Sequence, residues 1–252
     1  MYASNTQRIK NHSLWAIIVA GGSGSRMKTD MPKQFLELSG KPVLMYSIMA
    51  FANACDGIRI VVVLPASQIE KWQELCRNHD FTFSHNITEG GNTRFHSVKN
   101  GLSLLSGDGL VAIHDGVRPL VSIQTITGCF REAASYGCAV PALPVIDSVR
   151  EVSGLTNRML DRSALRLIQT PQVFDIALLK KAYEQEYSPV FTDDASVFEK
   201  AGHAIHLTEG NVENIKITTP NDMLVAQTYL LNSSNVFFPF CNISLHGVDG
   251  MV

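Results

Sequence analysis

The chain has 252 residues, an apolar share of 45% and a formal charge of -2. This suits one large α/β domain with a real core. It argues against a membrane-spanning protein, since no apolar run is long enough. It also argues against a nucleic-acid binder, since Lys and Arg form no dense block.

Residues 1–13 are polar, with no apolar core or cleavage pattern of a secretory signal. Leu14–Ala20 (LWAIIVA) reads as a buried strand. Lys41–Asn53 follows as a helix with Pro42 in its first turn. Ile58–Leu64 (IRIVVVL) is a second strand, and Ser67–Arg77 a helix after a Ser cap. Asn92–Leu105 reads as helix, Leu110–His114 as strand, Ser122–Tyr136 as helix and Cys138–Val145 as strand. Residues 147–162 then alternate apolar and polar around a Ser-Gly turn, the pattern of a β-hairpin that projects from the domain. Such a hairpin is marginal alone and must pack on something, a second subunit being one candidate. Helices at Ala177–Gln185, Asp193–Ala201 and Asn221–Leu231 and strands at Ala204–Leu207 and Asn214–Ile217 complete the pattern. The expectation is one domain over residues 14–231, including the arm, and a tail over 232–252 of unknown role. Strands alternating with helices imply a Rossmann-like, mostly parallel sheet covered on both faces, with ligands at the carboxyl ends of its strands. Five scattered cysteines without a C-x-x-C pair oppose a disulfide framework or zinc site and fit a reducing, cytoplasmic setting.

Five segments carry chemistry. Ala20-Gly21-Gly22-Ser23-Gly24-Ser25-Arg26-Met27, with Pro32-Lys33-Gln34 after it, succeeds the first strand. It is neither a Walker A loop nor a dinucleotide fingerprint, for Met27 stands where a third small residue is needed. Its glycines let a backbone approach phosphates, and Arg26 and Lys33 put two positive charges on one loop. Attack on the α-phosphate of a triphosphate needs such charges, because catalysis there is positioning and electrostatic stabilisation. A substrate phosphate can itself be the nucleophile, since a phosphate monoester is largely dianionic near neutral pH. Gly90-Gly91-Asn92-Thr93-Arg94-Phe95-His96-Ser97 leads into a helix; Asn92 and Ser97 suit a base edge, and Arg94 either a phosphate or an ion pair. His114-Asp115-Gly116-Val117-Arg118 puts Asp115 at a strand end, where it can accept from a hydroxyl or help hold a metal. His114 reads as a packed histidine. The arm and the segment after it supply Ser148, Arg162 and Thr170, Arg162 reading by residue type alone as a surface arginine, and Lys216 lies in an apolar strand-like run, where its ammonium must reach either solvent, as on an edge strand, or an anion. Thr192-Asp193-Asp194 reads first as a helix cap and second as a substrate contact.

Together AGGSGSRM, MPKQF, GGNTRFHSV, HDGVRP, MLDR, QTPQVF, TDDAS and NIKITTP resemble the 2-C-methyl-D-erythritol 4-phosphate cytidylyltransferase family, of the sugar-phosphate nucleotidyltransferase superfamily. The resemblance runs from about Leu14 to about Leu231. It implies transfer of CMP from CTP to methylerythritol phosphate with Mg²⁺ accompanying the nucleotide, and a homodimer formed by arm exchange. Arg26 and Lys33 would then stabilise the transition state, and Arg162, from the other subunit, and Lys216 would hold the acceptor. Ala20, Gly21, Gly22, Gly24, Gly91, Asn92 and Ser97 would surround the nucleotide. Asp115, Arg118, Ser148 and Thr170 would contact substrate, Asp115 being also the one candidate for a metal. Ser148 stands where many relatives have Thr and keeps the hydroxyl; Asn92 stands where some carry Asp. The rival readings are a ribitol-5-phosphate cytidylyltransferase and, more distantly, a non-catalytic nucleotide-binding protein.

Overall fold

The computed structural model of the chain describes residues 13–21 and 31–232. Its elements begin with β1 (Ser13–Val19), β2 (Glu37–Leu38), β3 (Lys41–Pro42), α1 (Val43–Ala54), β4 (Arg59–Leu64), α2 (Ala66–Asn78) and β5 (Asn86–Glu89). They continue with α3 (Arg94–Ser103), β6 (Gly109–Asp115), α4 (Ile123–Tyr136), β7 (Cys138–Pro144), β8 (Val149–Ser153) and β9 (Thr156–Leu160). The last are β10 (Arg166–Ile168), β11 (Gln172–Asp175), α5 (Ile176–Ala182), α6 (Asp194–Lys200), β12 (Leu207–Glu209) and α7 (Pro220–Asn232).

β1 explains the architecture. Ala16 and Ile18 point into one apolar layer, Trp15 and Ile17 into the other. A strand buried on both faces needs sheet neighbours on both sides and helices above and below. β1 lies between β4 and β6, parallel to both, and β5 extends the parallel set beyond β4. One layer is filled by Leu44, Ile48 and Phe51 of α1, Trp72 of α2 and Phe130 of α4. The other is filled by Phe95 and Val98 of α3, Leu179 of α5 and Phe198 of α6. The main chain closes these helices locally. Ser122 caps α4 by accepting the Thr125 N–H at 3.0 Å, and Gly137 ends it at φ +82°, a conformation that favours glycine.

Past β6 the strand directions mix. β11 inserts antiparallel between β6 and β7, β10 runs antiparallel to β7, and β12 runs parallel to it. The sheet is thus mostly parallel in its core and mixed at one side. β8 and β9 form a separate two-stranded sheet of five cross-strand pairs, the expected arm. Its Val152, Leu155 and Met159 are exposed.

Three local expectations are corrected. Residues 214–217 are not a strand: the Ile217 N–H donates to Val117 O, and Asn214 O accepts from the Arg118 side chain. The strand expected at Ala204–Leu207 lies at Leu207–Glu209. α2 begins at Ala66 after Pro65, so Ser67 sits inside the helix and caps nothing. β5, β10 and β11 are strands that residue patterning left unassigned.

Candidate active site

Because β1, β4, β5 and β6 are parallel, their carboxyl ends meet on one edge. A cleft of about 240 Å³ opens there. Ala20 and Gly21 line it from the end of β1, and Lys33 and Gln34 from the turn Lys33–Phe35. Gly91, Asn92, Thr93, Arg94 and Ser97 line it from the start of α3, Asp115 and Val117 from the end of β6, and Lys216 from the segment before α7.

The start of α3 is held open by small residues. Thr93 caps the helix, and Ser97 Oγ accepts the Gly91 N–H at 3.1 Å while donating to Thr93 O at 2.9 Å. A Cβ on Gly91 would lie 2.4 Å from His96 Cβ, closer than any real contact. Glycine is required there by space, so the backbone itself forms the wall.

Asp115 is the electrostatic centre. Its carboxylate meets Lys216 Nζ at 3.0 Å, Arg118 Nε at 3.4 Å and Arg94 Nε at 3.7 Å. Burial alone would raise its pKa, but Arg94, Lys216 and Arg118 outweigh that and hold it well below the usual carboxylate range. Three cations around one carboxylate leave net positive charge facing the cleft, which suits a phosphorylated ligand. Arg94 has a second anion: its Nη2 lies 2.6 Å from Asp194, which is fully buried and also accepts from Tyr183 OH at 2.7 Å. Burial would lower the Arg94 pKa, and Asp194 and Asp115 together reverse this and raise it.

A directional chain fixes the Asp115 turn from behind. His114 Nε2–H donates to Arg118 O at 3.0 Å, which leaves Nδ1 to accept from the Thr170 hydroxyl at 3.1 Å. Thr170 Oγ1 in turn accepts the Asp115 N–H at 3.1 Å. Burial pushes the His114 pKa down to about 4, so the ring is neutral, as this chain requires. Asn214 Nδ2 donates to Thr170 O at 2.8 Å, tying the Lys216 segment to the same network.

The candidate residues therefore sort clearly. Ala20, Gly21, Lys33, Gly91, Asn92, Ser97, Asp115 and Lys216 share the cleft, and Arg118 reaches it through Asp115. Thr170 is not among the residues that line it: it is buried, and its hydroxyl is bonded to the Asp115 N–H and to His114. Ser148 and Arg162 are exposed on the arm and are not part of this cleft within the chain; Arg162 donates to Ile146 O. Gly22, Gly24 and Arg26 lie outside the described residues. Arg94 pairs with Asp194 and Asp115 and also lines the cleft. Asp194 was the residue that patterning read too simply: Asp193 caps α6, while its neighbour is buried against Arg94. The doublet was the signal, since one cap needs only one acid. Gln34, wholly buried beside Lys33, gave no signal apart from its place in the motif.

Asp115 makes a poor metal ligand, because a cation would compete with an ammonium and two guanidiniums already on it. Among the described residues no group of three or more His, Cys, Asp or Glu side chains could hold a metal ion. No described helix is long and apolar enough to cross a membrane.

The chain is similar to known proteins in both sequence and fold. The family model described as 2-C-methyl-D-erythritol 4-phosphate cytidylyltransferase matches residues 14–232. A protein of that name from Bacteroides fragilis is 52% identical over 215 residues, covering 85% of this chain and 98% of the relative. The crystal structure of 4-diphosphocytidyl-2C-methyl-D-erythritol synthase from Anaerococcus prevotii superposes with a TM-score of 0.76 at 27% identity, covering 89% of this chain and 99% of that one. The 2-C-methyl-D-erythritol 4-phosphate cytidylyltransferase of Thermus thermophilus gives 0.70 at 31% identity, with 86% and 98% covered.

Proposed function

The chain belongs to the 2-C-methyl-D-erythritol 4-phosphate cytidylyltransferase family, and from that premise we propose how its residues divide the work. It is a nucleotidyltransferase that moves CMP from CTP to methylerythritol phosphate in isoprenoid precursor synthesis. A phosphate oxygen of the acceptor attacks the α-phosphorus of CTP. The new P–O bond forms as the bond to the bridging oxygen breaks, and pyrophosphate leaves with that electron pair. No protein base is needed, because the nucleophile is already anionic.

The observation that carries the assignment is the shared cleft of Lys33, Lys216 and the Gly91 backbone. Lys33, with Arg26 on the same loop, stabilises charge at the α-phosphate. Lys216 binds the acceptor phosphate. It already holds Asp115 Oδ2 at 3.0 Å, so phosphate binding and the Asp115 network are coupled. Ala20, Gly21, Gly91, Asn92 and Ser97 enclose the cytosine end. Arg118 orients Asp115 toward the acceptor. A divalent cation, expected as Mg²⁺, would accompany the triphosphate and neutralise its charge instead of being held in a protein cage, consistent with the crowding at Asp115. Arg162 serves the cleft of a second copy, which its place on an exposed arm supports, and the working unit is a homodimer.

The deciding experiment is an acceptor panel. Pyrophosphate release from CTP and Mg²⁺ is expected with methylerythritol phosphate. Release with ribitol 5-phosphate alone would overturn the acceptor assignment, and release with neither would point to a binding protein.

A further inference from the structure

Gln34 has a larger part in the site than its place beside Lys33 suggests. It is completely buried, yet it lines the cleft. Its Nε2 donates to Ala20 O at 2.7 Å and to Gln68 Oε1 at 2.6 Å. Carbonyl oxygens only accept, so the bond to Ala20 fixes which end of the carboxamide faces the end of β1. The other end, Oε1, is buried with no partner among the described residues. A stranded amide oxygen is costly, and Met would fill similar volume without one. The position therefore uses the two donors and not the bulk.

Those donors join three pieces. Ala20 is the exit of β1 and a wall of the cleft; Gln68 is half-buried on α2; Gln34 itself comes directly after Lys33 in the turn Lys33–Phe35. The next residue anchors the same turn from the apolar side. Phe35 stacks on Trp72 of α2, with ring centres 6.0 Å apart and planes 11° apart, and Trp72 Nε1 donates to His85 Nε2 at 3.0 Å. Lys33 thus stands on a turn pinned at two successive residues to one helix, with the polar pin reaching the cleft wall as well.

We infer that Gln34 is a positioning residue for the nucleotidyl transfer: its two amide hydrogen bonds seat Lys33 against the end of β1, and it acts on the reaction through Lys33. This rests on the proposed role of Lys33 at the α-phosphate. A lysine ammonium stabilises a transition state only when held in place, and a shift of about 1 Å costs on the order of 100-fold.

The test is a double-mutant cycle on the full chain, reading kcat, the KM for CTP and Tm. Gln34→Met keeps the volume and removes both donors. It is expected to lower kcat about 30-fold while changing the KM for CTP less than about threefold, and to have no further effect once Lys33→Met is present. An equal factor in both backgrounds, or a loss in KM alone, would overturn the inference and leave the role of Lys33 standing. Full turnover by Lys33→Met would overturn both. If Gln34→Met does not fold, Gln68→Ala removes one of the two bonds from outside the cleft. It should lower kcat about threefold to tenfold with Lys33 and leave it unchanged without Lys33. Equal factors there overturn the inference in the same way.

Discussion

At the scale of single residues, the site is a problem in burying charge. Asp194 is wholly buried and faces Arg94, whose side chain keeps 28% exposure and a second anion in Asp115. Losing one partner of a buried pair costs about 3–5 kcal/mol, and this partial exposure puts Asp194→Asn at the low end, about 3 kcal/mol. For a domain of this size that lowers Tm by roughly 6–12 °C; a calorimetric shift under about 2 °C would show that the pair contributes little. His114 gives a second residue-level expectation. Its pKa falls from 6.5 unfolded to about 4 folded through burial. Between those values the unfolded chain holds the extra proton, so stability rises with pH across that window. The contribution is full above about 6.5 and is lost as pH falls toward 4, by up to about 3 kcal/mol. His85, also lowered by burial, adds in the same direction. Urea melts from pH 7 to 4 should therefore show a shallower decline for His114→Gln than for the parent chain. Identical slopes would mean that His114 does not carry the effect. The Asp193-Asp194 doublet hinted at the first network, whereas the second was not legible in the residues alone. His114 looked like a packed histidine, which it is, but the hydrogen-bond chain through Thr170 depends on a partner 56 positions away. Lys33, Asp115 and Lys216 could be singled out from their segments and do share one cleft, although the pattern around Lys216 fits a solvent-reaching lysine as well and only the family resemblance drew it to the site.

At the scale of elements, legibility tracked burial. β1, β4 and β6 are apolar on both faces and could be read directly from their runs. β5 is NITE, a polar edge strand, and β11 is four residues long with Gln172 inside it. That glutamine is satisfied by Asp193 and the Ala195 N–H, partners that only the fold supplies. Residues 214–217 alternate like a strand, but their main chain bonds to Val117 and to the Arg118 and Gln169 side chains instead of to a neighbour. The β5–α3 connection makes the sharpest element-level prediction. Its Gly91 has no room for a methyl group against His96, so Gly91→Ala must displace the first turn of α3. Thr93 and Ser97, which line the cleft, move with it. The KM for CTP should rise about tenfold, equivalent to about 1.4 kcal/mol, with kcat changed far less, because the cations proposed for the α-phosphate and the acceptor, Lys33 and Lys216, come from other elements. A fall in kcat at unchanged KM would place this wall nearer to the reacting phosphates than to the base.

At the scale of the molecule, the arm is the feature a single chain leaves unfinished. β8 and β9 pair only with each other, and Val152, Leu155 and Met159 are 70%, 104% and 72% exposed. Two strands alone are marginal in water, and the proposed second copy of the chain would cover them. The same geometry fits the proposed role of Arg162, which lies outside the cleft of its own chain and would add a cation to that of a second copy. The two ideas can be tested together by mixing variants. Arg162→Ala retains Lys33, and Lys33→Met retains Arg162, so each homodimer should be nearly inactive. If arms are exchanged, a mixed dimer has one intact cleft, built from the body of the first variant and the arm of the second. After equilibration half of the dimers are mixed and each has one working site of two, so activity should return to about a quarter of the parent level. If Arg162 acts within its own chain, every cleft in the mixture lacks either Arg162 or Lys33 and the activity stays at background. Light scattering on the same samples checks the premise, since a monomer at assay concentration removes the exchange altogether.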